Sequence, residues 1–137
     1  MEFTASTEEE LDPVADAIIK TLEQSSIVLF TGDLGAGKTT LIKRICTKLG
    51  VKEAMSSPSF GLINQYEVRD HIVYHIDLYR VKDVEEVFDF GLLEILDSGS
   101  PCFIEWPEMA QEIWQDYDVT RVSITAENQQ LRRIFVK

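Results

Sequence analysis

The sequence predicts an α/β fold, a three-layer α/β/α arrangement around a mixed, mainly parallel central sheet, with residues 1–137 forming one domain. Three observations predict it. The apolar, β-branched run Ile27–Thr31 leads into a glycine-rich loop and then an amphipathic pattern, the order strand, loop, helix. Two later apolar runs stop at a carboxylate, at Asp77 and at Glu105. Two hairpins, one over residues 61–77 and one at the C-terminal side, add antiparallel strands to an otherwise parallel sheet.

Taken in order, Leu11, Val14, Ala15, Ile18, Ile19 and Leu22 share one helical face. Two starts suit this helix: a capping box of Thr7 with Glu10, or Asp12 as cap with Pro13 at the first helical position. Ser25-Ser26 ends the segment before the strand at Ile27. A second helix opens near Lys38, buries Leu41, Ile42, Ile45, Cys46 and Leu49, and ends on Gly50. Its other side carries Lys43, Arg44 and Lys48, a pattern typical of a solvated face. Residues 61–68 and 72–77 read as strands around Arg69-Asp70-His71. Short helices follow over 83–88, closed by Gly91, and over 92–96, before the turn 97–101. Residues 102–107 form a short strand ending in a carboxylate, 108–114 a helix, and 119–125 with 131–136 a hairpin.

Between Ile27 and the second helix, Gly32-x-x-x-x-Gly37-Lys38-Thr39 fits the P-loop pattern without a mismatch, which makes the predicted fold that of a P-loop NTPase. Glycines at 32, 35 and 37 let consecutive backbone N–H groups face inward as an anion nest, and the helix dipole points at the same place. Gly32, Asp33, Leu34, Gly35, Ala36, Gly37, Lys38, Thr39 and Thr40 are therefore the expected phosphate-binding residues. Lys38 would reach the β- and γ-phosphates, and the Thr39 hydroxyl would ligate Mg²⁺. Such a site also needs a carboxylate at the end of a neighbouring strand, and Asp77 and Glu105 both qualify. One is expected to serve the metal and the other to position the attacking water.

Composition narrows the partners. A net charge of −11 disfavours a broad nucleic-acid-binding face, so contact with RNA is expected through another protein or a small local patch. No apolar run approaches a membrane span, the first residues lack a signal-peptide layout, and Cys46 and Cys102 fit no metal spacing. A reduced, cytoplasmic protein is expected. The triplet Asp89-Phe-Gly91 lacks the other protein-kinase motifs, and no guanine-recognition tetrad occurs, which leaves ATP as the expected nucleotide. His71 and His75 are not expected to form a metal site. Few arginines are available for the lid of a small-molecule kinase, the competing enzyme class.

Together, Gly32-Asp-Leu-Gly-Ala-Gly-Lys-Thr-Thr40, Ser57-Pro-Ser-Phe60, His75-Ile-Asp-Leu-Tyr-Arg80 and Ile104-Glu-Trp-Pro107 make the chain resemble the bacterial TsaE family over nearly its full length. The resemblance implies a small Mg²⁺-dependent ATPase supporting threonylcarbamoyladenosine formation on tRNA. It implies Thr39 and Glu105 as Mg²⁺ ligands, and residues 57–60, with Ser59, as a switch loop sensing the γ-phosphate. Asp77 matches the acid linked to hydrolysis, making Lys38, Asp77 and Glu105 the catalytic set. Trp106 matches an aromatic beside the nucleotide. Either Arg132 or Arg133 matches a C-terminal arginine there, with Arg132 taken as the candidate. The implied partners are TsaB and TsaD as a heterodimer, reset by ATP hydrolysis, with tRNA met mainly through that pair. Ser59 and Gly61 stand where the family usually has Thr, and Leu11 where many members have a Thr near the nucleotide.

Overall fold

The computed structural model describes residues 1–55 and 63–137. Among these, a seven-stranded sheet has the order β1-β7-β6-β2-β5-β4-β3, formed by β1 (Glu2–Ala5), β2 (Ile27–Thr31), β3 (Ile63–Val68), β4 (His71–Asp77), β5 (Cys102–Glu105), β6 (Val119–Ala126) and β7 (Arg132–Val136). The centre is parallel: β6 pairs with β2, β2 with β5, and β5 with β4. Antiparallel pairs close both sides, β4 with β3 at one edge and β6–β7–β1 at the other. Only β3 and β7 run against the common direction, so the mixed, mainly parallel sheet expected from the pattern is the one observed.

Side-chain alternation sorts the core into two layers. Val28, Phe30, Phe103, Val122 and Ile134 face α1 (Asp12–Thr21) and α2 (Lys38–Leu49), whose Val14, Ile18, Leu41 and Ile45 are fully buried against them. Ile27, Leu29, Ile76 and Ile104 face the opposite side, against α3 (Val84–Asp89), α4 (Leu92–Asp97) and α5 (Gln111–Trp114). The result is a sheet with helices on both faces.

Both proposed starts of the first helix contribute, in a different way from either reading. The Thr7 hydroxyl accepts from Glu10 N–H, but Glu10 lies in a 3-10 turn, Glu9–Leu11, whose cap position is held by Glu8 and which runs directly into α1. Asp12 is not the cap: Leu11 holds that position, and Asp12 lies within the helix, where its carboxylate accepts two hydrogen bonds from Arg44 of α2, the shorter 2.6 Å. Gly50 ends α2 as expected, in the left-handed region, with Gly50 N–H on Thr47 O and Val51 N–H on Cys46 O. His71 belongs to β4 rather than to the turn, which is the pair Arg69-Asp70 with Arg69 left-handed at φ 55°. The helix expected over 108–114 divides into a 3-10 turn, Pro107–Ala110, and α5. Strand β1 was not anticipated. No helix among the described residues is long and apolar enough to cross a membrane.

Candidate functional site at the carboxyl ends of three parallel strands

Because β4, β5 and β2 run in parallel, their carboxyl ends open on one edge of the sheet. That edge collects most of the expected residues. β2 delivers the loop 32–37, β4 ends at Asp77, and β5 ends at Glu105, which lies in register with Asp77 on one side and Phe30 on the other. Asp77 and Glu105 point to the same face as α2, whose first turn carries Lys38 and Thr39.

The loop explains two of its glycines. A Cβ at Gly32 would lie 2.7 Å from the carbonyl oxygen of Ile124 in β6, inside contact distance, so only glycine lets the loop cross this close. Gly37 precedes α2 with φ 106°, a left-handed position. Lys38 is buried and folded back on the loop: its Nζ donates to Gly32 O and sits 3.8 Å from the centroid of the Trp106 ring. Burial pushes its pKa down, with Glu105, Glu108, Asp77 and Asp33 opposing.

Glu105 is the centre of the constellation. It is buried, and the Thr39 hydroxyl lies 3.0 Å from each of its carboxylate oxygens. Its Oε2 also accepts, at 2.6 Å, from Nε2 of buried His75. Asp77 is half-buried, and its Oδ1 accepts the backbone N–H of Tyr79. Burial raises its pKa above the ordinary carboxylate value, as does the nearby Glu105 charge, while the Tyr79 hydrogen bond, His75 and Lys38 pull it down.

Trp106 adopts φ 58° and ψ 47°, left-handed for a bulky residue and directly before Pro107. Such a backbone costs on the order of 1–2 kcal/mol and persists only where the surroundings enforce it. Here the indole is held between Lys38 and Tyr79, whose ring centroid lies 4.8 Å away, and Trp114 Nε1–H bonds Pro107 O at 2.7 Å to fix the turn.

Two of the cavities that adjoin the loop among the described residues also reach other expected residues. One, about 270 Å³, is bounded by residues 34–40 with Asp77, Tyr79, Glu105 and Trp106. The other, about 330 Å³, lies across Gly35–Gly37 and Thr40 and is walled by Ser6, Thr7, Leu11, Gln130 and Arg132. The two C-terminal arginines differ sharply. Arg132 Nε donates to Ala36 O at 3.0 Å, whereas Arg133 turns to Glu127 at 2.7 Å and Glu2 at 3.4 Å. Asp33 and Leu34 are exposed at the loop tip, and the Asp33 carbonyl accepts Ala36 N–H. Ser59 and the rest of the 57–60 motif lie outside the described residues. His75, Tyr79 and Gln130 are not among the site residues expected from the sequence.

The donors present suit a hard cation. Thr39 and Glu105 offer paired oxygens beside the glycine loop, while among the described residues no group of three or more His, Cys, Asp or Glu could hold a metal alone. A cation here would complete its shell with phosphate oxygens and water, the habit of Mg²⁺.

The chain is similar to several known proteins. The crystal structure of Bacillus subtilus YdiB superposes with a TM-score of 0.74 at 25% identity, over 99% of this chain and 84% of that one. The tRNA threonylcarbamoyladenosine biosynthesis protein TsaE of Haemophilus influenzae is 37% identical over 97 residues, 71% of this chain and 61% of its own. That of Rickettsia conorii is 38% identical over 114 residues, 80% and 63% respectively, and that of Rickettsia bellii 40% over 112 residues, 79% and 75%. The matched stretch thus spans somewhat under two thirds of the first two relatives. The family model for threonylcarbamoyl adenosine biosynthesis protein TsaE matches residues 5–134, and the chain belongs to the TsaE family.

Proposed function

We propose that this chain binds ATP with Mg²⁺ in the cradle formed by residues 32–40 and hydrolyses it, acting as a switch on a TsaB–TsaD heterodimer during threonylcarbamoyladenosine formation on tRNA. The observation that carries this reading is the convergence of Lys38, Thr39, Asp77 and Glu105 at one loop, from α2, β4 and β5. Phosphates enter against the loop amides and the first turn of α2, which favour negative charge. Lys38 exchanges the Gly32 carbonyl and the Trp106 face for the β- and γ-phosphates, where its charge stabilises the transition state. Thr39 and Glu105 would hold the magnesium ion, which would supply charge neutralisation on the phosphates. Asp77, whose pKa burial raises above the ordinary carboxylate value, orients the attacking water and takes up its proton. Trp106 and Tyr79 cover this side and limit bulk water. The cavity beside Ser6, Thr7 and Arg132 takes the nucleoside end. With a net charge of −11, the chain leaves most tRNA contact to its partners in the cytoplasm.

The test is phosphate release from ATP by the chain alone and with TsaB–TsaD, with Lys38→Ala as blank. A slow basal rate that rises with the pair supports the switch. A rate indifferent to the pair, with no ATP-dependent complex, overturns it; release that requires a small-molecule acceptor instead identifies a kinase.

A further inference from the structure

Glu105 is an ionisable group with almost no access to water, a state that is costly unless each oxygen is satisfied. Among the described residues two side chains satisfy it, and they differ in kind. Thr39 reaches it with a single hydroxyl proton divided between two oxygens at 3.0 Å. If Thr39 serves a cation, its lone pair must turn to the metal and its proton must follow the new geometry. His75 makes a different bond, 2.6 Å to Oε2 alone, from a strand interior where its ring is only 1% exposed. Strand register secures it. His75 pairs with Phe103, two residues before Glu105, so the two side chains emerge on the same face of adjacent strands. Nothing in the sequence spacing of these residues, 30 apart, signals the contact.

We propose that His75 is a positioning residue: its Nε2–H holds Oε2 of Glu105 so that the other oxygen stays paired with the Thr39 hydroxyl as a donor set for the cation. The inference rests on the Mg²⁺–nucleotide reading above. Histidine acts here through the carboxylate and touches neither nucleotide nor water. In metal sites, outer partners of this kind set ligand orientation, and their loss weakens metal affinity about 10–100-fold.

The test compares His75→Met, which fills the space without a donor, with His75→Gln, whose amide nitrogen reaches about as far as Nε2. The readout is affinity for a fluorescent ADP analogue titrated with Mg²⁺ and, separately, in EDTA, with Mn²⁺ paramagnetic resonance as an independent measure of metal occupancy. In His75→Met the half-saturating metal concentration should rise about tenfold or more, with affinity in EDTA unchanged. His75→Gln should recover most of the loss. Equal loss with and without metal, or a glutamine variant no better than methionine, means that His75 only packs, and overturns the proposal. A methionine variant too unstable to assay leaves the glutamine variant to decide, since wild-type metal dependence there requires the donor alone. Failure of the underlying reading looks different: the wild-type chain itself would show no metal-dependent nucleotide affinity, and both ideas would fall together.

Discussion

Asp77→Asn should make the protein more stable and less active at once. Asp77 and Glu105 occupy paired positions on adjacent parallel strands. Strands lie about 4.8 Å apart, and two unit charges about 5.5 Å apart repel by about 3 kcal/mol at an effective dielectric of about 20. Asp77 is half-exposed, so solvent screening reduces this to about 1 kcal/mol. The direction follows from its pKa, raised mainly by burial and further by the Glu105 charge, against the Tyr79 hydrogen bond, His75 and Lys38. In the fold the protonated form is favoured, a contribution fully present below the unfolded value of 3.8 and lost as pH rises through the folded pKa. At neutral pH the ionised carboxylate therefore weakens the fold. Asparagine removes that charge while its carbonyl oxygen can still accept from Tyr79 N–H, so the local turn survives. The expected gain is about 1 kcal/mol, or about 3 °C in Tm for a chain of this size. Calorimetry without nucleotide or metal reads it directly, and the advantage should vanish in acid, where wild-type Asp77 is itself protonated. In parallel, nucleotide affinity should stay near wild type while phosphate release is lost. A variant that melts lower at neutral pH, or that no longer binds nucleotide, would refute both the electrostatic account and the role assigned to Asp77.

Gly32→Ala drives a methyl group into the Ile124 carbonyl and should cost about 1–3 kcal/mol, read as a lower urea midpoint, together with weaker nucleotide binding as the loop shifts. Arg132→Ala should weaken nucleotide affinity, because its guanidinium braces Ala36, while Arg133→Ala, which loses only contacts to Glu127 and Glu2, should leave affinity unchanged in the same titration. Burial pushes both thiols from the ordinary 9.0 up to about 12, so Cys46 and Cys102 stay protonated in the fold where the unfolded chain ionises. Unfolding is then favoured as pH rises between those values, with stability falling by about 1.4 kcal/mol per pH unit for each thiol. Alanine at either position should flatten that fall in alkaline urea melts.

Much of this fold is legible in the sequence wherever a signal is local. The loop glycines, the period-3.6 stripe of α2 and the apolar runs before Asp77 and Glu105 each state their structure within a dozen residues. What escapes is set by partners far away. Strand β1 has only Phe3 and Ala5 as an inward alternation, too short to stand out, and exists because β7 supplies its hydrogen bonds. Asp12 has the chemistry of a cap, yet it pairs with Arg44 one helix away, a contact no helical spacing describes. Along the chain His75 stands four positions from His71, whereas its partner is Glu105 on the next strand. A useful signal was present: in a strand, residues two apart share a face, so His75 had to accompany Asp77.

The edge β6–β7–β1 has a bearing on how the two halves of the site come into being. The loop 32–37 and α2 are contiguous in the chain, and β5 and β4 lie beside them, so this half of the site closes over shorter separations, 66 residues between Thr39 and Glu105. The neighbouring cavity instead joins Ser6, Thr7 and Leu11 to Gln130 and Arg132, and β1 reaches β7 across more than a hundred residues, as with Arg133 and Glu2, 131 apart. Contacts of such separation form late, because the chain must surrender loop entropy before they repay it. An outer strand of four residues is also the kind of element that opens without global unfolding. Amide exchange would then be fast along β1 and slow in β2, and nucleotide release could proceed through fraying of that edge while the cradle stays intact.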